Sequence, residues 1–236
     1  MEGQGASPVR PFAATWTRGG RLAAFDDKPA RGATVRPVDE HGGAVFVQKF
    51  FKGIRGLGRL EAEQIFAEGL RSNRLRLAPG ATYTDLIALL TEDNLYGHVT
   101  DYATYGAQSA FVSLTAGTRG ATSFDGFFRP FAAWETALRF ATAGGKSSGV
   151  VLEGWVIVLG TPAWHIPGVA EDIRDRHVYP RFNNFWAQGE VTAKLVVPGA
   201  QITRVTIVDA DLSPIETIEN PLAMEPAEFS NIREAI

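Results

Sequence analysis

Gln188 and Glu190 stand two residues apart in the run NNFWAQGEVTAK, residues 183–194. On a strand, positions i and i+2 face the same side, so an amide and a carboxylate would project together. Facing a packed core, an unpaired carboxylate is costly. Facing a cleft, the two form a reactive or recognising pair. Phe185 and Trp186 come just before them. Rings of this kind are usually core, but the adjoining asparagines favour a loop from which they could touch a ligand. A second set is the hydroxyl run Ser113-Leu114-Thr115 in AFVSLT, residues 110–115. A third is the basic end of FFKGIRG, residues 50–56, because a guanidinium can grip an anion with two parallel hydrogen bonds. His98 adds a group whose ordinary pKa of about 6.5 suits proton transfer.

Each of these has an ordinary explanation when taken alone. Glu190 could be a solvated strand residue, Arg55 a surface cation, Ser113 a satisfied strand hydroxyl and His98 a loop or partly buried ring. Other chemistry drops out on spacing. AGGKSS, residues 143–148, lacks the glycine that a phosphate-binding loop needs at the position of Phe140, and it follows a helical pattern instead of preceding one. GLG, residues 56–58, lacks the third glycine of a dinucleotide-binding turn. His41, His98, His165 and His177 show no metal-ligand spacing, so no metal is expected. There is no G-x-S-x-G.

The elements that must carry these groups can be read from periodicity and breakers. AVFVQKFF (44–51), SAFVSLT (109–115), GVVLEGWVIVLG (149–160), GEVTAKLVV (189–197) and ITRVTIV (202–208) have strand character. LEAEQIFAEGL (60–70), YTDLIALLTED (83–93) and RPFAAWETALRFATA (129–143) read as helices, the last opened by Pro130. Helices dominate the first half and strands the second, which predicts an α+β fold with mostly antiparallel sheet. Residues 1–42, rich in Gly, Ala, Pro and Arg, read as an arm, residues 43–210 as the folded domain and residues 211–236 as a polar tail.

The 236 residues carry a formal net charge of −3 and 45% apolar residues. That allows a sizeable core and argues against a general nucleic-acid binder. Cysteine is absent, so neither disulfides nor thiolate chemistry is open to the chain. No apolar run approaches the roughly 20 residues that span a bilayer, and the first residues do not read as a signal peptide.

In their order along the chain, the basic strand end, the AFVSLT strand and FWAQGE (185–190) resemble the Arg, Ser-Thr-Ser and Gln/Glu-x-Glu elements of the mono-ADP-ribosyltransferase toxins of the cholera and pertussis type. LYGHVTDYATYGAQSAFVSLTAG (95–117) and EQIFAEGL (63–70) are most similar to the pertussis-type catalytic subunit. The middle hydroxyl of the motif is replaced by Leu114. Arg55, Lys52 and Arg59 all compete for the strand-end cation; Arg55, flanked by Ile54 and Gly56, is the choice, and it leaves fewer residues than Lys52 before the following helix.

The resemblance implies two packed antiparallel sheets with flanking helices around an NAD cleft. It implies transfer of ADP-ribose from NAD to a non-arginine acceptor, with release of nicotinamide. Glu190 would stabilise the oxocarbenium-like ribose, Arg55 would hold the pyrophosphate, and Ser113, less so Thr115, would position the ribose or Glu190. His98 would polarise or deprotonate the acceptor, and Gln188, Phe185 and Trp186 would recognise it. The acceptor would be a target-cell protein, or a nucleic acid, met by a toxin or effector delivered to the target-cell cytosol. An NAD glycohydrolase on the same fold and a catalytically inactive binding module are the rival expectations.

Overall fold

A computed structural model describes residues 15–17, 21–23, 45–78, 80–117, 130–185, 188–224 and 233–234. The expected arm lies outside the described residues except for a small antiparallel pair, β1 (Thr15–Thr17) and β2 (Arg21–Ala23). After it come β3 (Val45–Arg55), α1 (Arg59–Glu68), β4 (Leu70–Arg71), α2 (Asn73–Leu77), α3 (Tyr83–Ile87), α4 (Glu92–Thr100), α5 (Tyr102–Tyr105) and β5 (Phe111–Thr115). The second half holds α6 (Pro130–Thr142), β6 (Gly149–Leu159), β7 (Val169–Ala170), β8 (Glu190–Lys194), β9 (Val196–Val197), β10 (Ile202–Val208), β11 (Pro214–Glu219) and β12 (Arg233–Glu234).

The architecture is α+β, with mostly antiparallel strands in the order β11-β10-β6-β3-β5-β8. β6 is its spine. It pairs with β3 without a break from Val45↔Leu159 to Arg55↔Gly149, and with β10 on its other side. The path then thins. β3 and β5 share the single rung Phe51↔Thr115, whereas β5 and β8 pair fully from Phe111↔Lys194 to Thr115↔Glu190. The two expected sheets are thus two antiparallel blocks, β11-β10-β6-β3 and β5-β8, joined at one rung. β7 and β12 add short parallel pairings to β6 and β3, and β4 pairs with β9 apart from the main path.

β6 is buried along nearly all its length because both of its faces are covered. Val150, Leu152, Val156 and Val158 enter the core beneath α1, with Ala62 and Phe66 of that helix. Val151 on the opposite face meets α6 through Ala133, Ala137 and Ala141, a stripe at helical spacing. The alanines and two glycines let α6 lie almost on the backbone of the sheet. A Cβ at Gly53 would sit 1.8 Å from the Ala137 carbonyl oxygen, and one at Gly149 would sit 2.2 Å from that of Ala141.

A separate core of Leu86, Leu90, Leu95, Phe111, Ile173, Tyr179 and Phe182 fastens α3 and α4 to β5 and to the long β6–β8 connection. The single helix expected over residues 83–93 is two helices. Thr91 caps a fresh start, accepting a hydrogen bond from the Asn94 amide, and Glu92 and Asp93 favour that N-terminus. The stretch expected as a polar tail contributes edge strand β11, which pairs with β10 from Arg204↔Glu219 onward. No helix among the described residues is long and apolar enough to cross a membrane.

Candidate functional site

β8 opens on Glu190, directly after Gly189, whose φ of +70° is a left-handed conformation that suits glycine. The rungs Thr115↔Glu190 and Ser113↔Thr192 put Ser113, Thr115, Glu190 and Thr192 on one face of the β5-β8 pair. The Glu190 carboxylate accepts hydrogen bonds from Ser113 and Thr192, the latter at 3.1 Å. α4 brings His98 in from the side, with Nε2 at 2.8 Å from Ser113 Oγ and 3.8 Å from Glu190 Oε1. Lys52, on β3 at the thin join between the blocks, lies close enough for its charge to act on both Glu190 and His98.

The hydrogen-bond inventory orients this chain. Ser113 has one hydroxyl proton, and donating it to Glu190 leaves its oxygen to accept from His98. His98 therefore carries its proton on Nε2, and the relay runs His98 to Ser113 to Glu190. His98 Nδ1 is buried with no hydrogen-bond partner. Burial, and then the Lys52 charge, lower the imidazole pKa from 6.5 to about 4, so the ring is neutral at physiological pH.

Burial raises the pKa of Glu190 against the opposing pull of Ser113, Thr192 and Lys52. Burial lowers that of Lys52 against the pull of Glu190. A carboxylate and an ammonium thus sit in one poorly hydrated place, and each lessens the cost of the other's charge. Glu190, with a side chain 12% exposed, keeps an opening through which a bound cationic centre could be met.

Not every expected residue reaches this cluster. Arg55 ends β3 exposed, opposite Gly149, and the cation brought to Glu190 is Lys52, three residues earlier. Alternation along β3 and its pairing with β6 decide this, and residue count before the next helix does not. Gln188 is exposed and lies in a turn ahead of β8, its amide bonded to the Phe185 carbonyl at 2.9 Å. The shared strand face expected for Gln188 and Glu190 is therefore absent: the strand begins at Glu190, and Gly189 redirects the chain. Phe185 is half-buried, its ring edge-on to Tyr96 at 6.3 Å. Trp186 lies outside the described residues. His98 is 3% exposed, and its Nε2 lies within hydrogen-bond distance of Ser113 Oγ. Thr192 carries no motif of its own in the sequence, although the i+2 spacing that relates Gln188 to Glu190 also relates Glu190 to Thr192. Among the described residues, no group of three or more His, Asp or Glu side chains could hold a metal ion.

No family profile matches the chain. No curated protein matches it either. Solved structures do resemble it in shape. The A subunit of heat-labile enterotoxin aligns over 79% of this chain and 82% of its own, at 14% identity and TM-score 0.43. Scabin toxin from Streptomyces scabies aligns over 75% and 76%, at 13% identity and TM-score 0.39. A guanine-specific ADP-ribosyltransferase aligns over 78% and 83%, at 12% identity and TM-score 0.38. Likeness at this level carries no functional argument, which rests on the residues of the site.

Proposed function

We propose that the chain is a mono-ADP-ribosyltransferase of bacterial toxin or effector type, pertussis-like in its motifs, that uses NAD to modify a non-arginine acceptor. The observation that carries this is the Glu190 carboxylate, held by Ser113 and Thr192 at the join of the two blocks, with His98 behind it and Lys52 beside it. The bond between nicotinamide and ribose C1′ breaks, and its electron pair goes to the nicotinamide nitrogen. Positive charge builds on the ribose, and Glu190 stabilises it. The acceptor nucleophile then bonds to C1′ and gives up its proton to water.

Lys52 serves as a point charge for an NAD phosphate. An anion beside it would favour its charged form, opposing the effect of burial. Ser113, with its proton directed at Glu190, and Thr115, on the same face, fix the carboxylate and the nicotinamide ribose. Exposed Gln188 and the ring of Phe185 meet the acceptor, a target-cell protein in preference to a nucleic acid given the net charge of −3. Action inside a target cell after delivery belongs to the same proposal.

Incubation with NAD labelled in the adenylate tests it against separate protein, RNA and DNA fractions. Label entering one fraction, together with free nicotinamide, is the expected result. Glu190→Gln should lower both by roughly 10²–10³, the usual cost of removing one preorganised electrostatic contact, and leave NAD binding nearly unchanged. Nicotinamide release without labelled macromolecule would indicate a glycohydrolase. Absence of both NAD binding and NAD turnover would refute the enzyme reading.

A further inference from the structure

The connection between β6 and β8 buries charges that the proposed chemistry does not use. Glu171, Asp172, Arg174 and Asp175 are each 4% exposed or less. Connections normally run over the surface, and such residues almost never go fully inside unless paired. Within this run Arg174 pairs with Asp172, and it reaches two other segments as well. Its Nε and Nη2 donate to the two oxygens of Asp172 at 2.7 and 2.8 Å. Nη2 also donates to Gln48 Oε1 on β3 at 2.5 Å, and Nη1 donates to the carbonyls of Ala116 and Gly117 at 3.3 and 3.1 Å. One guanidinium thereby ties β3, the exit of β5 and its own loop together.

What it grips lies directly against the catalytic strand. The Ala116 amide donates to the Gly189 carbonyl at 2.8 Å. Gly189 packs so tightly on Gly117 that a Cβ there would come within 2.7 Å of the Gly117 carbonyl carbon. The next residue is Glu190. The same loop also holds the far side of that carboxylate. Glu171 and Thr192 exchange two backbone hydrogen bonds of 2.9 Å, and Thr192 is the residue whose hydroxyl bonds Glu190. Glu190 is bracketed by one loop acting at Gly117–Gly189 on one side and at Thr192 on the other. Fold stability is a poor explanation for the buried pair, because apolar replacements of such pairs are often as stable or more so.

We infer that Arg174, held by Asp172, is a positioning residue that sets the Glu190 carboxylate and the Gln188 turn through the Gly117–Gly189 seam. It touches neither NAD nor acceptor, and its readout rests on the proposed NAD chemistry. The test uses the full chain. Asp172→Asn combined with Arg174→Met removes both charges at once, so neither is left buried alone. Gly189→Ala disturbs the seam from the other side. Thermal melting, and kcat and KM for nicotinamide release, are measured for both.

The expected result is a fall in kcat of about tenfold to a hundredfold, the scale of a carboxylate misplaced by about 1 Å, with KM for NAD within about threefold of wild type. A merely structural role would lower the melting temperature and leave kcat of the folded protein unchanged. Wild-type kcat in a folded double variant overturns the inference. Should the double variant fail to fold, wild-type kcat in Gly189→Ala does so instead. No nicotinamide release from the wild type overturns the proposed function and this inference with it. Release by the wild type with kcat unchanged in the variants overturns this inference alone.

Discussion

His98→Gln separates a ring that orients Ser113 from a ring that moves protons. A glutamine amide can donate to Ser113 Oγ as Nε2 does, but it cannot take up a proton near neutrality. The drop in the His98 pKa from 6.5 to about 4 corresponds to roughly 3 kcal/mol favouring the neutral ring, at about 1.4 kcal/mol for each pH unit. The folded-state pKa is the lower one, so the unfolded chain takes up the proton first as pH falls. This contribution is whole above about pH 6.5 and is lost as pH falls toward 4. Denaturant unfolding of wild type and His98→Gln, measured at several pH values across that window, should therefore show wild type losing about 3 kcal/mol more than the variant. Nicotinamide release at neutral pH should stay within a few-fold of wild type in His98→Gln and fall in His98→Leu, which cannot donate to Ser113. Loss of a hundredfold or more in a folded His98→Gln would refute the reasoning, because it would make proton transfer the work of the imidazole. Parallel stability curves for wild type and variant would refute the buried neutral ring.

Three further outcomes rest on where side chains sit. Lys52→Ala should weaken NAD binding about tenfold to a hundredfold, the worth of a charge-assisted contact, while Arg55→Ala, exposed at the end of β3, should change it little; a calorimetric titration that ranks them the other way would remove Lys52 from the site. Lys52→Ala should also move the acid limb of the rate profile upward, because the Lys52 charge opposes the burial that raises the Glu190 pKa. Gln188→Ala and Phe185→Ala should suppress labelling of the acceptor and spare slow hydrolysis of NAD by water, because water needs no recognition; equal loss of both activities would place these residues in the NAD machinery or the fold.

Much of the scaffold was legible in the chain. The apolar run of residues 149–160 and the alanine-rich run of residues 129–143 became β6 and α6 nearly to the residue, because long periodic segments express their burial in their own composition. Ser113 and Glu190 could be picked out by residue type and order, and they meet diagonally between the same-face rungs Ser113↔Thr192 and Thr115↔Glu190. Local pattern is silent about the rest for physical reasons. Which of Lys52, Arg55 and Arg59 faces Glu190 depends on where β3 crosses β5, a contact of one rung between distant segments. Whether Gln188 shares a face with Glu190 depends on where β8 starts, and Gly189 against Gly117 decides that from outside the strand. His98 looks like a general base in sequence, and it becomes a neutral donor only when α4, Phe111 and Tyr102 close around it. The EDIRD run of residues 171–175 carries four ionisable side chains in five residues, yet they are inside. Ionisable side chains can be buried only where partners converge from several strands, and Gln48, Ala116, Gly117 and Thr192 are brought to that loop by tertiary structure alone.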